Sequence, residues 1–299
     1  MNKPHAAPFL LLLAAALPGA ALAAPECKHA EARQLAFDTA GVKSVTFDVR
    51  QNTLRLNGIA GSAGTLKGRA CASSPELLKQ LVVTQERSGD TLVVHLGNPQ
   101  NVRFGLFGIG SHYAWLDLAG TVPAGIPVRI EVGSGDVDAT GLASLGASVG
   151  SGDLVARRIA GAVGASVGSG DLSLSDIGSL DVSSVGSGDL KASGIRGSAE
   201  VGSIGSGDAG IRGVGGATKI GSVGSGDLDI AGARGGVTIG SVGSGDAKLR
   251  DITGNVAVAS LGSGDLTVNG LKGDLRVGTR GSGSIDHSGV TGSVTLPRR

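Results

Sequence analysis

Gly224-Ser225-Gly226-Asp227-Leu228-Asp229-Ile230-Ala231-Gly232-Ala233-Arg234-Gly235-Gly236-Val237-Thr238-Ile239-Gly240-Ser241-Val242 is one turn of a pattern that fills the second half of the chain. The tetrad Gly-Ser-Gly-Asp that opens it ends at Asp136, Asp153, Asp171, Asp189, Asp208, Asp227, Asp246 and Asp265. A degenerate ninth copy is Gly281-Ser282-Gly283-Ser284. The spacings are 17, 18 and 18 residues, then 19 for every later copy. A fixed period of this length marks a repeat architecture.

Aligning the units on the aspartate gives their content. One position after it stand Val137, Leu154, Leu172, Leu190, Ala209, Leu228, Ala247, Leu266 and Ile285. Four before it stand Val132, Val149, Val167, Val185, Ile204, Val223, Val242 and Leu261. The apolar set falls at plus 1, 3 and 6 and again at plus 10, 12 and 15, so each unit holds two short alternating segments. Alternation is the period of a strand, and the bounding glycines leave no room for a helix. One such unit cannot bury its own apolar face. Stacked units turn each apolar position into a ladder around a shared core. With strands about 4.8 Å apart, eight intervals predict a solenoid roughly 40 Å long.

The expected fold is therefore all-β: a flattened parallel β-helix or β-roll of about 19-residue coils over 126–299, preceded by a β-rich domain over 24–125. Glycine is expected to supply positive φ at the turns. The last coil reads as a cap, with Arg280 and His287 where apolar residues stood in earlier coils.

Composition agrees. The chain has 299 residues, 54 of them Gly, yet 40% are apolar, which separates it from disordered sequences. Collagen would need Gly at every third position. The net charge of +1 gives no basic excess for nucleic acid.

Residues 1–23 read as a signal peptide: Lys3, the apolar run Phe9 to Leu17, and Ala21-Leu22-Ala23 as cleavage site. The run is too short to span a bilayer, and no later stretch is apolar enough, so no transmembrane anchor is expected after processing. Periplasm, outer-membrane surface and secretion all remain open as destinations. Outside the cytoplasm the only two cysteines, Cys27 and Cys71, are most simply one disulfide.

In the first half, Ser44–Val49, Thr53–Leu56, Gln80–Val83 and Asp90–Leu96 read as strands, with a turn at Ser88-Gly89-Asp90 and a helical turn at Pro75–Lys79. Leu116-Asp117-Leu118-Ala119-Gly120-Thr121-Val122-Pro123-Ala124-Gly125-Ile126-Pro127-Val128-Arg129-Ile130-Glu131-Val132 leads straight into the first tetrad. A strand, Val-Pro-Ala-Gly, another strand and then Gly-Ser-Gly-Asp resembles the bacterial "putative adhesin" β-strand-repeat family, formally a domain of unknown function. The resemblance covers most of 44–296. It implies a β-solenoid and export to the cell envelope, and it carries over no catalytic residue.

The chemistry-bearing residues fit that picture. The serines and aspartates lie in ladders, and no histidine has a motif around it, so a structural role is expected over a hydrolase. Stacked carboxylates repel by roughly 1 kcal/mol per neighbouring pair in water, and something must offset this. The local answer is that Asp and Ser oxygens accept backbone N–H groups within the tight turn. The alternative is Ca²⁺ on Asp171, Asp189, Asp208, Asp227 and Asp246. Calcium takes six to eight oxygens, whereas the opposite turn carries Arg157, Arg158, Arg196, Arg212, Arg234, Arg250 and Lys272. The local answer is preferred, and no cofactor is expected.

Phe104, Phe107, Tyr113 and Trp115 concentrate four of the seven aromatics in one Gly-rich stretch. They read either as a hairpin capping the open solenoid end or as an exposed loop that binds a partner or glycan. The functional expectation is an exported, non-enzymatic, adhesin-like or cell-envelope interaction module, whose partner is an envelope protein or a surface glycan. A periplasmic scaffold or regulator is the alternative, and a calcium-binding β-roll the weaker one.

Overall fold

The computed structural model describes residues 27–61, 63–97 and 112–298. Residues 1–23, expected to be a signal peptide, and the pair Phe104 and Phe107 lie outside the described residues.

In chain order the first half contains β1 (His29–Asp38), β2 (Ser44–Arg50), β3 (Thr53–Ile59), β4 (Ala63–Ala72), α1 (Pro75–Gln80), β5 (Val83–Ser88), β6 (Thr91–Leu96) and β7 (Ala114–Pro123). The first tetrad joins β8 (Val128–Val132) to β9 (Asp136–Thr140). From there each coil adds one strand to each of two parallel ladders. On the first, Leu154, Leu172, Leu190, Ala209, Leu228, Ala247, Leu266 and Ile285 pair in succession. On the second, Val149, Val167, Val185, Ile204, Val223, Val242 and Leu261 do so. The plus 1, 3, 6 and 10, 12, 15 positions point inward as the alternation requires. In the unit that opens this account, Leu228, Ile230, Ala233, Val237, Ile239 and Val242 are all buried.

Both ladders continue into the N-terminal β domain, in an order the chain does not follow. β8 stacks on β2 and β9 on β3. β2 in turn stacks on β6, and β3 on β7. The β2/β3 layer is thus inserted between β6/β7 and β8/β9. Asn52, wholly buried at the β2–β3 turn, pins this layer to the one beneath. Its amide Nδ2 donates to the carbonyls of Val49 (3.0 Å) and Leu96 (2.7 Å), and its Oδ1 accepts the Leu116 N–H at 2.8 Å. That one side chain thus bonds both the end of β6 and the start of β7, where no tetrad joins them.

Beyond β6/β7 the direction reverses. β5 pairs antiparallel with β6, β4 with β7, and β1 with β4. Helix α1, capped by Ser74 and started by Pro75, contributes Leu77 to the core cluster, and Leu81 follows it there. Arg33 of β1 donates to the Leu78 and Leu81 carbonyls at the end of that helix. The strand expected at 80–83 is therefore displaced: Gln80 ends the helix and β5 begins at Val83. The Cys27–Cys71 disulfide forms, with the two Cα atoms 5.6 Å apart, and fastens the chain ahead of β1 to β4.

Positive φ does not lie in the tetrads. It recurs five residues after each tetrad, at Gly141, Arg158, Asp176, Gly194, Gly213, Gly232, Asp251, Gly270 and Gly289, and also occurs at Gly254 and Gly273. Glycine in the tetrad answers a different need. A Cβ on Gly226 would stand 1.8 Å from the carbonyl oxygen of Gly207, and the second glycine of every tetrad from Gly152 to Gly264 meets the same 1.8 Å obstruction. The backbones are stacked too closely at that corner for any side chain. Gly226→Ala is accordingly expected to cost about 3 kcal/mol or more, as forced overpacking does. Gly232→Ala, which meets only the left-handed penalty, is expected to cost about 1–2 kcal/mol. Equal losses in chemical denaturation would overturn this division of labour.

Candidate functional site

The tetrads form one long edge of the solenoid, and its hydrogen bonds can be followed atom by atom. In the Asp227 coil, Gly224 N–H donates to the Ile204 carbonyl, and Ser225 and Gly226 both donate to the Gly205 carbonyl. That leaves the Asp227 N–H, and the carboxylate Oδ1 of Asp208, one coil earlier, accepts it at 2.8 Å. The same bond joins Asp171 to Asp153, Asp189 to Asp171, Asp208 to Asp189, Asp246 to Asp227 and Asp265 to Asp246, at 2.9–3.2 Å. It ends with the Ser284 N–H on Asp265 at 2.8 Å. The acceptor is therefore not in the aspartate's own turn, as the sequence led us to expect, but serves the next coil. Each carboxylate from Asp153 to Asp265 meets a backbone N–H, which offsets repulsion along the ladder. Among the described residues no three His, Cys, Asp or Glu side chains are grouped to hold a metal ion.

A shorter acidic ladder stands in the second strand's approach. Asn255 Oδ1 accepts the Asp274 N–H at 3.0 Å, and Asp274 Oδ1 accepts both the N–H and the hydroxyl of Ser293. The backbone N–H and then the side chain of Ser284 hold the Asp265 carboxyl below the ordinary range, and Ser293 does the same to Asp274.

The opposite edge is basic, but its members are not equivalent. Arg157 pairs with Asp138 at 2.8 Å; Arg250 pairs with Asp229 at 2.6 Å and Arg212 reaches the same carboxylate at 3.9 Å. Arg196 lies back along the solenoid and donates to the carbonyls of Ile159 and Ala160.

A concavity of about 900 Å³ crosses the second ladder near its start. Its floor is made of small residues, Gly146, Ala147, Gly164 and Ala165. Ala147 and Ala165 occupy inward positions where Ile130 and Val182 stand on the neighbouring strands. Arg129, Glu131 and Asp48 form one wall and Asp181 and Ser183 the other. Arg129, Glu131 and Asp181 are exposed. No sequence motif marked these residues; the run of small residues at 146–147 and 164–165 was the available signal.

Of the aromatic cluster, Tyr113 and Trp115 are half-buried and fastened to the β4 side. The Tyr113 hydroxyl accepts the Lys28 N–H at 3.0 Å, and Tyr113 and Ser73 exchange two further bonds. Trp115 sits opposite Cys71, with the Arg69 guanidinium 5.2 Å from its ring centre. The described part of the end is closed by α1 and the antiparallel strands.

No family model matches the chain, and no curated protein does. Among solved structures it is similar to a "putative lipid binding protein" of Parabacteroides distasonis, at 17% identity over 87% of this chain and 97% of that one, with a TM-score of 0.43. A "putative adhesin" of Bacteroides fragilis is 13% identical over 89% and 96%, with a TM-score of 0.30. A "putative cell adhesion protein" of Clostridium sporogenes is 11% identical over 89% and 100%, with a TM-score of 0.25.

Two outcomes follow for the acidic edge. Asp227→Ala strips the Asp246 N–H of its partner and is expected to cost about 1 kcal/mol, while Asp227→Asn, which keeps an acceptor oxygen, costs less; the comparison is read from urea midpoints. The second concerns pH. Asp265 and Asp274 have folded pKa values below their unfolded ones, so their contribution is complete above the usual carboxylate range and is lost as pH falls through the lowered values. Amide exchange at Ser284 and Ser293 should accelerate there beyond the intrinsic pH trend, and Asp265→Asn with Asp274→Asn should remove that extra loss.

Proposed function

We propose that the chain is an exported, non-enzymatic interaction module of adhesin type, which presents a rigid β-solenoid surface to a macromolecular partner. The observation that carries this is the groove of Arg129, Glu131 and Asp181 over a small-residue floor, built on a framework whose inward positions are wholly committed to the core. Its mixed charges and open ends suit an extended polar partner such as a surface glycan or an envelope protein segment. Catalysis finds less support. His95 has Nδ1 3.1 Å from Asp48 and Nε2 3.4 Å from Glu86, so neither nitrogen is left for a nucleophile. Export is supported by the signal-peptide-like sequence of residues 1–23 and by the disulfide. No helix among the described residues is long and apolar enough to cross a membrane. In this reading the aspartate ladder is structural and takes no metal.

Protease added to intact cells is expected to degrade the chain. Protection that is lost only when the outer membrane is opened would move it to the periplasmic scaffold reading. Beads coated with the mature protein are expected to bind envelope material, and Arg129→Ala with Glu131→Ala to reduce it; undiminished binding would remove the groove from the contact. EDTA is expected to leave the melting temperature unchanged. A melting temperature that climbs with added Ca²⁺ would overturn the metal-free ladder, because a ligand of the native state alone must raise it.

A further inference from the structure

Of four cations on the basic edge, Arg158 stands at plus 5 of its coil, and Arg196, Arg234 and Lys272 stand at plus 7 of theirs, these three 38 residues or two coils apart. The last three occupy one ladder: the N–H groups of Gly215 and Arg234 donate to Ile195 and Val214, and Thr253 pairs with Lys272. Gly215 and Thr253 fill the coils between. Alternate coils place these cations about 9.6 Å apart, twice the strand spacing.

All four are exposed. Unlike Arg157, Arg212 and Arg250 on the same edge, Arg158, Arg234 and Lys272 have no acidic partner within ion-pair reach among the described residues. Between Arg196 and Arg234 the edge opens into a notch of about 540 Å³ floored by Gly213, Gly215 and Gly232. A Cβ at Gly215 would lie 2.2 Å from the Arg196 carbonyl oxygen, so the stacking itself keeps the notch free of a side chain. Arg196, held on the Ile159 and Ala160 carbonyls, shows that a long side chain here lies along the solenoid axis. The coils between are not uniformly neutral. Asp176 and Asp251 stand on this edge, exposed, on two of them.

We propose that this edge binds a linear acidic polysaccharide carrying one anionic group per disaccharide, laid along the solenoid axis. Two coils approximate the rise of one disaccharide in an extended chain. The cations meet its carboxylates or sulfates, the notch takes the neutral sugar between them, and Asp176 and Asp251 accept sugar hydroxyls. The same two acids repel a polymer charged at every residue, which disfavours nucleic acid. The proposal rests on the interaction-module reading and names a partner class for it.

The test uses the purified mature protein and hyaluronan, which has one carboxylate per disaccharide, in titration calorimetry at low and physiological salt. Binding is expected, weakening with salt, with neutral dextran inert. Exposed ion pairs are individually weak, so Arg234→Gln with Lys272→Gln is expected to lower affinity about fivefold or more. Arg276→Gln, which removes one positive charge off this edge, should leave it unaltered. Matching melting temperatures show that the variants fold. No binding at low salt, equal loss with Arg276→Gln, or tighter binding of single-stranded DNA would overturn the proposal. So would a salt-reversible dimer that forms without polymer and is lost in Arg234→Gln with Lys272→Gln, which would assign the edge to a second copy. None of these outcomes depends on where the cell places the chain, so the intact-cell protease result stands apart from them.

Discussion

Everything in this solenoid depends on how closely its backbones stack at the tetrad corner. With each Gly Cα set against the carbonyl of the Gly one coil earlier, no Cβ fits. The same closeness decides the other residues of the motif. One carbonyl, that of Gly205, takes the N–H groups of both Ser225 and Gly226, and Asp227 is left with an N–H that finds no backbone acceptor. A polar group stranded at such a corner costs free energy unless something accepts it. The carboxylate of the preceding coil does so. Glycine is there for space, and aspartate for the amide that this spacing strands. At the first pair, where Asp153 N–H reaches the Gly135 carbonyl at 3.2 Å, the backbone still suffices.

The ladders were legible in the sequence because their signal is a period: the spacing of Leu228, Ile230 and Val237 decides which side faces the core. The destination of the aspartate oxygen was not, because it is a bond between coils and leaves no trace within a single unit. The plus 5 corner was half visible. Glycine holds it in six coils, but Arg158, Asp176 and Asp251 hide it in three by entering the left-handed region themselves. Residues 44–59 gave no hint that they stack between β6 and β7 on one side and β8 and β9 on the other. Those pairings join segments far apart in the chain that share no repeat, and Asn52, the side chain that fastens them, looks like any turn asparagine.

The two ends of the stack solve one problem differently. A parallel ladder that stops leaves an open strand edge and an uncovered core. At the start, reversal into antiparallel strands and the α1 turn bring Leu77 and Leu81 over the core. At the finish the inward ladder changes chemistry: Arg280 follows Leu261 and His287 follows Val268, so the final coil offers little to a further one. Thr218 shows what the interior tolerates. Its hydroxyl is buried without a partner between Ala199 and Val237, a loss of order 1 kcal/mol or more that the surrounding ladder absorbs.

Such a framework favours recognition over chemistry for a geometric reason. Catalytic groups must converge to within about 3 Å of one reacting atom, whereas stacked coils set equivalent side chains about 4.8 Å apart and parallel. Neighbouring groups on a ladder therefore point alongside one another, not at a common centre. What the ladder supplies is a ruler. Inward positions are fixed by packing, outward positions are free, and any charge placed outward recurs at a multiple of the coil spacing. The tetrad edge uses every coil and spends its carboxylates on the backbone. The opposite edge pairs Arg212 and Arg250 with Asp229 and, in the alternate coils, leaves Arg234 and Lys272 turned to solvent. A periodic surface of that kind matches a periodic partner, and its selectivity resides in the spacing as much as in the charge.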